Sequence, residues 1–528
     1  MASPVVISVL LLFFAVTVYA FLFVGRRGSN FPPGPPTLPI IGNLHQIPTK
    51  GAHFKFTERA RTYGPIFTLK LGTGTAVVLT SQRHVKELVD KKSSIYSNRP
   101  ISYVANGIIT AGDHILTMDY GPNWRGIRKL VHQHFMEGVV ERDHLGVQNA
   151  EAVQMMRDYL ERPEEHMLHP KRFSNSIIMS LLWGIRTPTP STPHMTRLYA
   201  LMEVWSKVME PGNTPPVDIY PFLHYIPERF LGNWVSRATH VKREMNALYN
   251  DFLTGIEARR KSSGRKDCLM DRVLDQNEKS ESPYNRHQLY FMGGTMTEGG
   301  SDTSSSIIIA FVQAMVKWPE IQKRAQIEID GVVGEDRSLV WGDYAKLPYV
   351  AATVKEAMRW RPVTPLAFPH ALSEDDWVDG YFLPAGTTVI INAWGLHHDP
   401  DRFTDPEVFD PDHYAGVTAL APELATSADY SKRDHYGYGS GRRLCPGIHL
   451  AERNLFLAMA KLLWAFEFKD KKGKEVDVDP VTGYSEGFLV CAEDFECEIS
   501  VRGEKRRETI LREFEEAERD VFARFDAE

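Results

Sequence analysis

Cysteine is scarce in this chain. Its 528 residues include four, at positions 268, 445, 491 and 497, and their spacing is irregular. So few cysteines exclude a disulfide framework and a paired zinc motif, and they favour a reducing compartment for the folded part. An excess of positive charge is also missing, because the chain has 61 Lys and Arg against 67 Asp and Glu, a net charge of -6. This balance gives no support to nucleic-acid binding.

An apolar run occupies positions 5–24, and its length of about 20 residues is enough to cross a bilayer as a helix. A cleaved signal peptide is the alternative, with Val18 and Ala20 as the small residues of the cleavage site. No Lys or Arg precedes the run, whereas Arg26 and Arg27 follow it closely. The positive-inside rule therefore places the C-terminal side in the cytosol, and we expect a retained anchor.

The remainder of the chain is predicted to be mainly α with a smaller β region. Segments 66–71 and 75–80 predict a β-hairpin, and 387–393 predicts a further strand, whereas most other stretches show helical periodicity. In chain order, the sequence predicts a membrane anchor at 1–25, a stiff proline-rich hinge at 26–39, the main folded domain at 40–502, and a charged amphipathic helix at 503–528.

Three stretches are predicted to be irregular. Segments 186–194 and 259–267 have the composition of surface loops. Segment 216–234 mixes prolines with aromatic residues, which is typical of a lipid-dipping loop or a substrate lid. An aromatic segment of the core is the alternative.

The final helix spaces Ile510, Leu511, Phe514, Ala517, Val521 and Phe525 along one face, so we expect it to dock on the globule.

Cys445 lies in a glycine-rich stretch, 435–452, that could serve several kinds of site. A phosphate-binding loop would need GxxxxGK[ST] or GxGxxG, and neither pattern is present. A cysteine nucleophile with His435 or His449 as its base stays open, as does a buried inert thiol. A haem-iron thiolate is the third possibility, because glycines allow close approach and positive φ and a helix starting near Pro446 favours a charged thiolate.

Residues 438–447, YGSGRRLCPG, resemble the haem-binding signature of the cytochrome P450 family, FGxGxRxCxG, and depart from it only at Tyr438. The resemblance implies the cytochrome P450 fold, preceded here by an N-terminal transmembrane helix. It implies haem b as cofactor, with Cys445 as the axial ligand of the iron. Gly439 and Gly441 are implied to be cofactor-binding residues of the same loop. Arg443 is expected to reach a haem propionate.

Glu356 and Arg359 lie three residues apart on a predicted helix and can pair on one face. Taken alone, the spacing is that of a surface ion pair, but it also resembles the ExxR motif of the same family, which buttresses the haem pocket. The family usually adds an arginine from a PxRF-type motif, where this chain has His413. His413 is expected to be a weaker, pH-sensitive partner, unless the third member comes from elsewhere.

Segment 296–316 reads as a helix with Gly299 and Gly300 in its interior. Each glycine costs about 1 kcal/mol relative to alanine, which predicts close approach to a neighbour or a kink. Thr303 can donate to the carbonyl of residue 299, a bond that bends helices. A solvated face is the alternative for Asp302, but the apolar run that follows argues for burial.

The same segment resembles the family's (A/G)Gx(D/E)T(T/S) element above the haem. The resemblance assigns Thr303 to hydrogen-bonding dioxygen and Asp302 to proton delivery. Glu298 is expected to be a solvent-facing or helix-pairing residue.

Trp124 and Arg128 resemble the WxxxR element of the same family, which reaches a haem propionate, although an amphipathic helix alone would give the same spacing. His370 lies where the family often has a residue at the other propionate.

The resemblance implies a monooxygenase that takes electrons from NADPH through a membrane-bound NADPH–cytochrome reductase and uses O2. The enzyme would be anchored once in the endoplasmic reticulum membrane, with its catalytic domain in the cytosol. Arg125, Lys129 and Arg442 are candidates for a basic surface that meets the reductase. A haem-thiolate isomerase or dehydratase and a non-catalytic haem sensor are the alternatives, and Asp302 with Thr303 favours the monooxygenase.

The substrate is least constrained by the sequence. Stretches 103–109, 292–297, 366–368 and 486–488 are expected to face it, and their composition favours a small, largely apolar or aromatic molecule. The motifs look most like those of fungal enzymes of secondary-metabolite pathways, which often act on small aromatic polyketides. Fatty acids, terpenoids and xenobiotics stay open.

Overall fold

The computed structural model describes residues 4–210, 212–487 and 489–526 of the chain. Helices dominate it, as the sequence predicts. The α-helices are α1 Pro4–Phe23, α2 Ala52–Tyr63, α3 Gln82–His84, α4 Pro122–Phe135, α5 Glu137–Val139, α6 Leu145–Glu161, α7 His169–Trp183, α8 Pro193–Met209, α9 Trp234–Ser262, α10 Leu269–Glu278, α11 Arg286–Lys317, α12 Pro319–Val332, α13 Pro348–Trp360, α14 Ala393–His397, α15 Ala421–Thr426, α16 Ile448–Ala465, α17 Glu504–Ala517 and α18 Ala523–Asp526.

Shorter helical segments of other types connect these helices. The 3-10 turns are Leu44–Gln46, Pro163–Glu165, Pro221–Tyr225, Glu228–Phe230, Trp341–Lys346, Pro411–Tyr414, Tyr430–Lys432 and Gly441–Arg443. The π-helical segments are Val85–Lys91, Tyr103–Ile109, Val140–His144 and Glu518–Phe522.

The strands form one four-stranded sheet and two two-stranded sheets among the described residues. They are β1 Ile66–Leu71, β2 Gly74–Leu79, β3 His370–Ala371, β4 Asp376–Val378, β5 Tyr381–Leu383, β6 Thr388–Ile391, β7 Phe466–Asp470 and β8 Cys497–Val501. The larger sheet has the order β1-β2-β6-β3, in which β1 and β2 are antiparallel and β2 and β6 are parallel. The predicted hairpin and the predicted strand at 387–393 are therefore confirmed.

Helix α11 crosses the core and packs against α7, α9 and α16. Its interior glycines serve this packing, because a Cβ on Gly300 would lie 2.5 Å from the Ile178 side chain of α7. A Cβ on Gly299 would meet no atom of the described residues within 4 Å, and Gly299 lines a cavity. The close approach expected for the two glycines thus applies to Gly300 alone.

The N-terminal helix α1 has no buried residue and is long and apolar enough to cross a membrane by length and composition. The proline-rich segment after it is docked on the globule instead of extending freely as a hinge. The amide of Thr68 in β1 donates to the carbonyl of Pro33 at 2.8 Å, and a Cβ on Gly34 would lie 2.1 Å from the carbonyl oxygen of Thr68. Glycine is needed at position 34 because the two backbones touch.

Two of the predicted irregular stretches differ from the structure in part. Residues 186–192 lack regular structure as expected, but residues 259–262 continue α9, so the loop predicted at 259–267 begins later. In the aromatic stretch 216–234, Phe222, Tyr225 and Phe230 are exposed, with Tyr225 at 89%. The core alternative is wrong for these three side chains, and only Trp234 among the aromatic residues of the stretch is buried.

The C-terminal helix α17 packs against α6, as its apolar face predicts. Ile510, Phe514 and Phe522 are buried, and the guanidinium of Arg157 lies 4.3 Å from the centre of the Phe514 ring. Leu511, which the spacing also placed on this face, is exposed.

Candidate active site

A cavity of about 900 Å³ lies between α11, α4 and the loop that carries Cys445. Most of the residues singled out in the sequence line it: Trp124, Arg128, Asp302, Thr303, His370, Gly439, Arg443 and Cys445. Gly441, Glu356, Arg359 and His413 do not belong to its lining. The fold thus collects residues from distant parts of the chain around one space.

The loop before α16 presents Cys445 to this cavity. The amide of Cys445 donates to the carbonyl of Tyr438 at 2.8 Å, and Gly439 and Gly441 have positive φ of 74° and 63°. A Cβ on Gly441 would lie 2.2 Å from the carbonyl oxygen of Val89, so glycine at this position lets the loop pack on the protein itself. Gly439 is the glycine that borders the cavity.

Burial raises the pKa of the Cys445 thiol, although the amide of Gly447 and the charge of Arg128 act in the opposite direction. The start of α16 is therefore insufficient by itself to hold the thiolate expected from the sequence. Among the described residues, neither His435 nor His449 makes a hydrogen bond to Cys445. Burial lowers the pKa of His435 to about 4, while the adjacent Asp434 opposes the shift. A cysteine nucleophile would lack a base in this arrangement.

Three arginines converge on the cavity wall. Arg443 donates to the carbonyls of Ser97, Ile115 and Met118 at 2.9, 3.1 and 2.7 Å, and its guanidinium lies 4.5 Å from the centre of the Trp124 ring. Arg128 donates to the carbonyl of Leu444.

Arg99 is the third arginine, and the sequence reasoning missed it. Its Nη1 donates to the carbonyls of Phe368 and Pro369, both at 2.7 Å, and burial followed by the charge of Arg443 lowers its pKa to about 9. No local pattern marks Arg99, because its neighbours in space come from about 270 positions later in the chain. In the part of the chain that the structure describes, none of these three arginines lies within salt-bridge distance of a carboxylate.

His370 lies beside this arginine cluster and lines the cavity. Its Nδ1 donates to the carbonyl of Tyr96 at 2.7 Å. Burial, then the charges of Arg99 and Arg443, lower the pKa of His370 to about 3, so the ring is neutral.

These features fit a haem. A thiol faces the cavity, and guanidinium groups without acidic partners are suited to the carboxylates of a porphyrin. Carbonyl groups of the protein accept hydrogen bonds from all three guanidinium groups and thereby fix their positions at the cavity wall.

Helix α11 brings Thr303 and Asp302 to the same cavity. The Thr303 hydroxyl donates to the carbonyl of Gly299 at 2.8 Å, which confirms the backbone contact expected from the sequence. Burial raises the pKa of Asp302, and the charge of Lys171 opposes the shift. An acid that holds its proton more firmly than an exposed aspartate therefore borders the cavity beside a hydroxyl group.

Glu298 differs from its expected solvent-facing position. It is 7% exposed, lines the cavity, and accepts hydrogen bonds from His114 and Tyr249. Tyr249 belongs to α9, so the expected pairing between helices is present. The partners lie 184 and 49 positions away in the chain, and this distance explains why the local pattern did not reveal them.

Glu356 and Arg359 form a fully buried pair behind the cavity, with N–O distances of 2.7 and 2.6 Å. His413 lies against this pair, with its Nδ1 3.2 Å from Glu356 and its Nε2 2.7 Å from the carbonyl of Thr404. Because both ring nitrogens face oxygen acceptors, the doubly protonated imidazole suits the position. Burial opposes this charge, but the hydrogen bond and the charge of Glu356 outweigh burial and raise the pKa of His413.

The stretches expected to face the substrate contribute unequally. Thr295, Met296, Ala367, Phe368 and Glu486 line the cavity. Residues 103–109 do not; Ala105 of this stretch lines a neighbouring cavity of about 620 Å³ instead. Phe488, which was also expected to face the substrate, lies outside the described residues.

The fold and site define the class of protein. The family model for cytochrome P450 matches residues 32–492. A zebra fish cytochrome P450 solved with progesterone superposes with a TM-score of 0.70 at 23% identity, covering 85% of this chain and 99% of that chain. The chain belongs to the cytochrome P450 family, and it has the fold of that family.

Similar proteins with more than half of their residues identical to this chain are monooxygenases of fungi. A cytochrome P450 monooxygenase of Arthrobotrys oligospora is 56% identical over 94% of both chains. The monooxygenase macC of Penicillium terrestre is 54% identical over 98% of this chain and 97% of its own. The monooxygenase patH of Aspergillus clavatus is 55% identical over 96% of both. The predictions of a cytochrome P450 fold and of a haem monooxygenase are thereby confirmed.

Proposed function

We propose that this monooxygenase inserts one oxygen atom from O2 into a small, largely apolar or aromatic substrate of a fungal secondary-metabolite pathway. The observation that carries the proposal is that a single cavity is bordered by the Cys445 thiol, by three arginines without acidic partners, and by Asp302 with Thr303. The apolar side chains in the same lining, among them Trp205, Met296 and Phe368, support a substrate of this kind.

Cys445 is proposed to bind the iron of haem b. Arg99, Arg128 and Arg443 would hold the haem carboxylates, with Trp124 packed beside Arg443 and His370 close to the cluster. When bound, the haem supplies the activation of O2 and the transfer of one oxygen atom to the substrate, while the other atom leaves as water.

Asp302 and Thr303 are proposed to move protons. Burial raises the pKa of Asp302, so its carboxyl group keeps its proton to a higher pH than an exposed aspartate does, and the Thr303 hydroxyl can pass this proton on after leaving the carbonyl of Gly299. Each turnover of a monooxygenase consumes two protons, so a route for them into an apolar cavity is required.

Glu356, Arg359 and His413 are proposed as positioning residues. Arg359 also donates to the carbonyls of Pro406 and Val408, and Glu356 accepts from the amide of Asp410. The cluster thereby fixes the segment that leads toward the Cys445 loop.

Electrons are proposed to come from NADPH through a cytochrome reductase on the same membrane. Arg125, Lys129 and Arg442 are exposed, which leaves their charges available to an acidic partner. Segment 1–25 would anchor the chain once in the endoplasmic reticulum, with segment 40–502 as the cytosolic catalytic domain and 503–528 as a helix added to it.

The test begins with a strain of the native host that lacks this gene. The compound that accumulates should be one oxygen atom lighter than the lost product. Fed to the purified full-length enzyme with reductase, NADPH and ¹⁸O₂, it should yield product carrying one ¹⁸O. A lost product that is an isomer or a dehydration product of the accumulated compound, formed without NADPH, would refute the proposal in favour of an isomerase or dehydratase.

A further inference from the structure

The carboxylate of Glu298 is a buried acid in a wall that is otherwise mainly apolar. It precedes Gly299 on α11 and shares the cavity lining with Ile115, Met202 and Trp205. Proton delivery uses Asp302, one helical turn further along, and leaves Glu298 without a role.

Two donors fix the Glu298 carboxylate in place. The Tyr249 hydroxyl donates to one oxygen, and burial, followed by the charge of Glu298, raises the pKa of Tyr249 well above its usual value, so it stays a donor. His114 Nε2 lies 3.1 Å from the other oxygen. Because the amide of Leu116 donates to His114 Nδ1 at 3.3 Å, the imidazole proton is on Nε2 and is donated to Glu298.

This arrangement leaves acceptor capacity toward the cavity. Each carboxylate oxygen can accept about two hydrogen bonds, and the described residues donate only one to each. A cluster with a purely structural role would be separated from the cavity by other side chains, whereas Glu298 and His114 both line the cavity. An apolar ligand that filled the space would leave this acceptor without a partner, and such a site discriminates strongly in favour of a ligand that supplies the donor.

We propose that Glu298, oriented by His114 and Tyr249, accepts a hydrogen bond from a hydroxyl group of the substrate, and that the substrate class is therefore hydroxyl-bearing aromatic compounds. The proposal rests on the proposed function, because it concerns the substrate of that cavity. It makes Glu298 a specificity-determining residue.

An aromatic side chain lies beside the acceptor. The Trp205 ring, 6.1 Å from the His114 ring between centroids, offers an aromatic surface beside the acceptor.

The charge of the acceptor also excludes ligands. A carboxylate offers no proton, so it cannot donate a hydrogen bond to the carboxylate of an acidic substrate. The two negative charges also repel each other in this weakly solvated position. Fatty acids and aromatic acids are therefore expected to bind poorly in this orientation.

The other acidic side chains near the cavity mouth are already engaged. Glu203 pairs with Lys207 at 2.6 Å, and Glu486 accepts from the amide of Gly51 at 2.9 Å. Glu203 is exposed and belongs to no proposed machinery, so it provides a matched control for substitution of a glutamate in the same lining.

The experiment measures dissociation constants of the three ethylphenol isomers and of ethylbenzene by calorimetry on the holoenzyme. The quantity compared is the dissociation constant of ethylbenzene divided by that of the tightest ethylphenol. In Glu298→Met this ratio is expected to fall about ten- to hundredfold, since a hydrogen bond to a charged group is lost. In Glu298→Gln, which keeps the shape and a neutral acceptor, it should fall about fivefold. Glu203→Met should leave it unchanged.

The ratio separates recognition from general damage, because a merely structural role of Glu298 would weaken both ligands alike. A ratio that stays within about threefold of wild type in both Glu298 variants, or an absence of ethylphenol binding to wild type, overturns the proposal. Failure of the proposed function gives a different result: the reduced protein would show no thiolate-type absorbance with carbon monoxide, whichever way the phenols bind.

Discussion

Arg359 uses all five of its N–H groups although its side chain is completely buried. Nε and Nη2 donate to the two oxygens of Glu356 at 2.7 and 2.6 Å. Nη1 donates to the carbonyls of His397 and Pro406 at 2.9 and 2.8 Å, and Nη2 also donates to Val408 at 3.1 Å. One planar group thereby ties α13 to two separate stretches of chain.

Replacing Arg359 by lysine keeps the positive charge but offers three donors instead of five. At least two of the buried acceptors then have no partner, and each costs about 1–3 kcal/mol. The free energy of unfolding should therefore fall by about 2–6 kcal/mol, a large part of the roughly 5–15 kcal/mol that is typical of folded domains. We expect a protein that still folds but loses haem readily.

Urea unfolding of the holoenzyme, followed by far-ultraviolet circular dichroism and by haem absorbance, measures this difference. The matched control is Arg197→Lys, because Arg197 pairs with Asp251 at 2.9 Å on the surface and such pairs contribute at most about 1 kcal/mol. Equal effects of the two substitutions, or a loss below about 1 kcal/mol at Arg359, would refute the hydrogen-bond reasoning.

Three further predictions concern the site. Cys445→Ala should abolish the thiolate-type absorbance of the reduced protein with carbon monoxide while Cys491→Ala, also in the cavity lining, retains it; an unchanged spectrum in Cys445→Ala would remove this residue as the ligand. Thr303→Ala should increase the peroxide released per NADPH consumed, and unchanged coupling to product would end the proton-transfer role. The pKa of His413 is raised in the folded state, so its stabilising charge is fully present below the unfolded value of about 6.5 and is lost as pH rises through the folded value. The melting temperature of wild type should therefore fall over this range relative to His413→Arg, and parallel curves would contradict it.

Local patterns predicted the backbone well where a few neighbouring residues decide the conformation. The hairpin at β1 and β2 has its turn at Gly72, which adopts a positive φ of 60°, and the two strands pair antiparallel, as the sequence predicts. The proline-rich segment shows the limit of such reasoning. Its prolines do stiffen the chain, but the contact between Gly34 and Thr68 decides that it lies on the globule.

Burial was harder to predict than conformation. The spacing of Glu356 and Arg359 suits a surface pair as well as a buried one, and only the fold places both at zero exposure. Conversely, the aromatic residues around Tyr225 have the composition of a core segment but project from the surface. Periodicity gives the side of a helix or loop on which a residue lies, and the neighbours that cover that side come from elsewhere in the chain.

By itself, the sequence determined the thiol loop, the helix with Gly299 and Thr303, and the helical spacing of Glu356 and Arg359, because glycine torsions, proline positions and helix period act over a few residues. The tertiary structure alone decided that Arg99 joins the cavity. It also decided that His114 and Tyr249 hold Glu298 there. Electrostatic partners and solvation depend on atoms that approach through space, and no pattern along the chain carries that information.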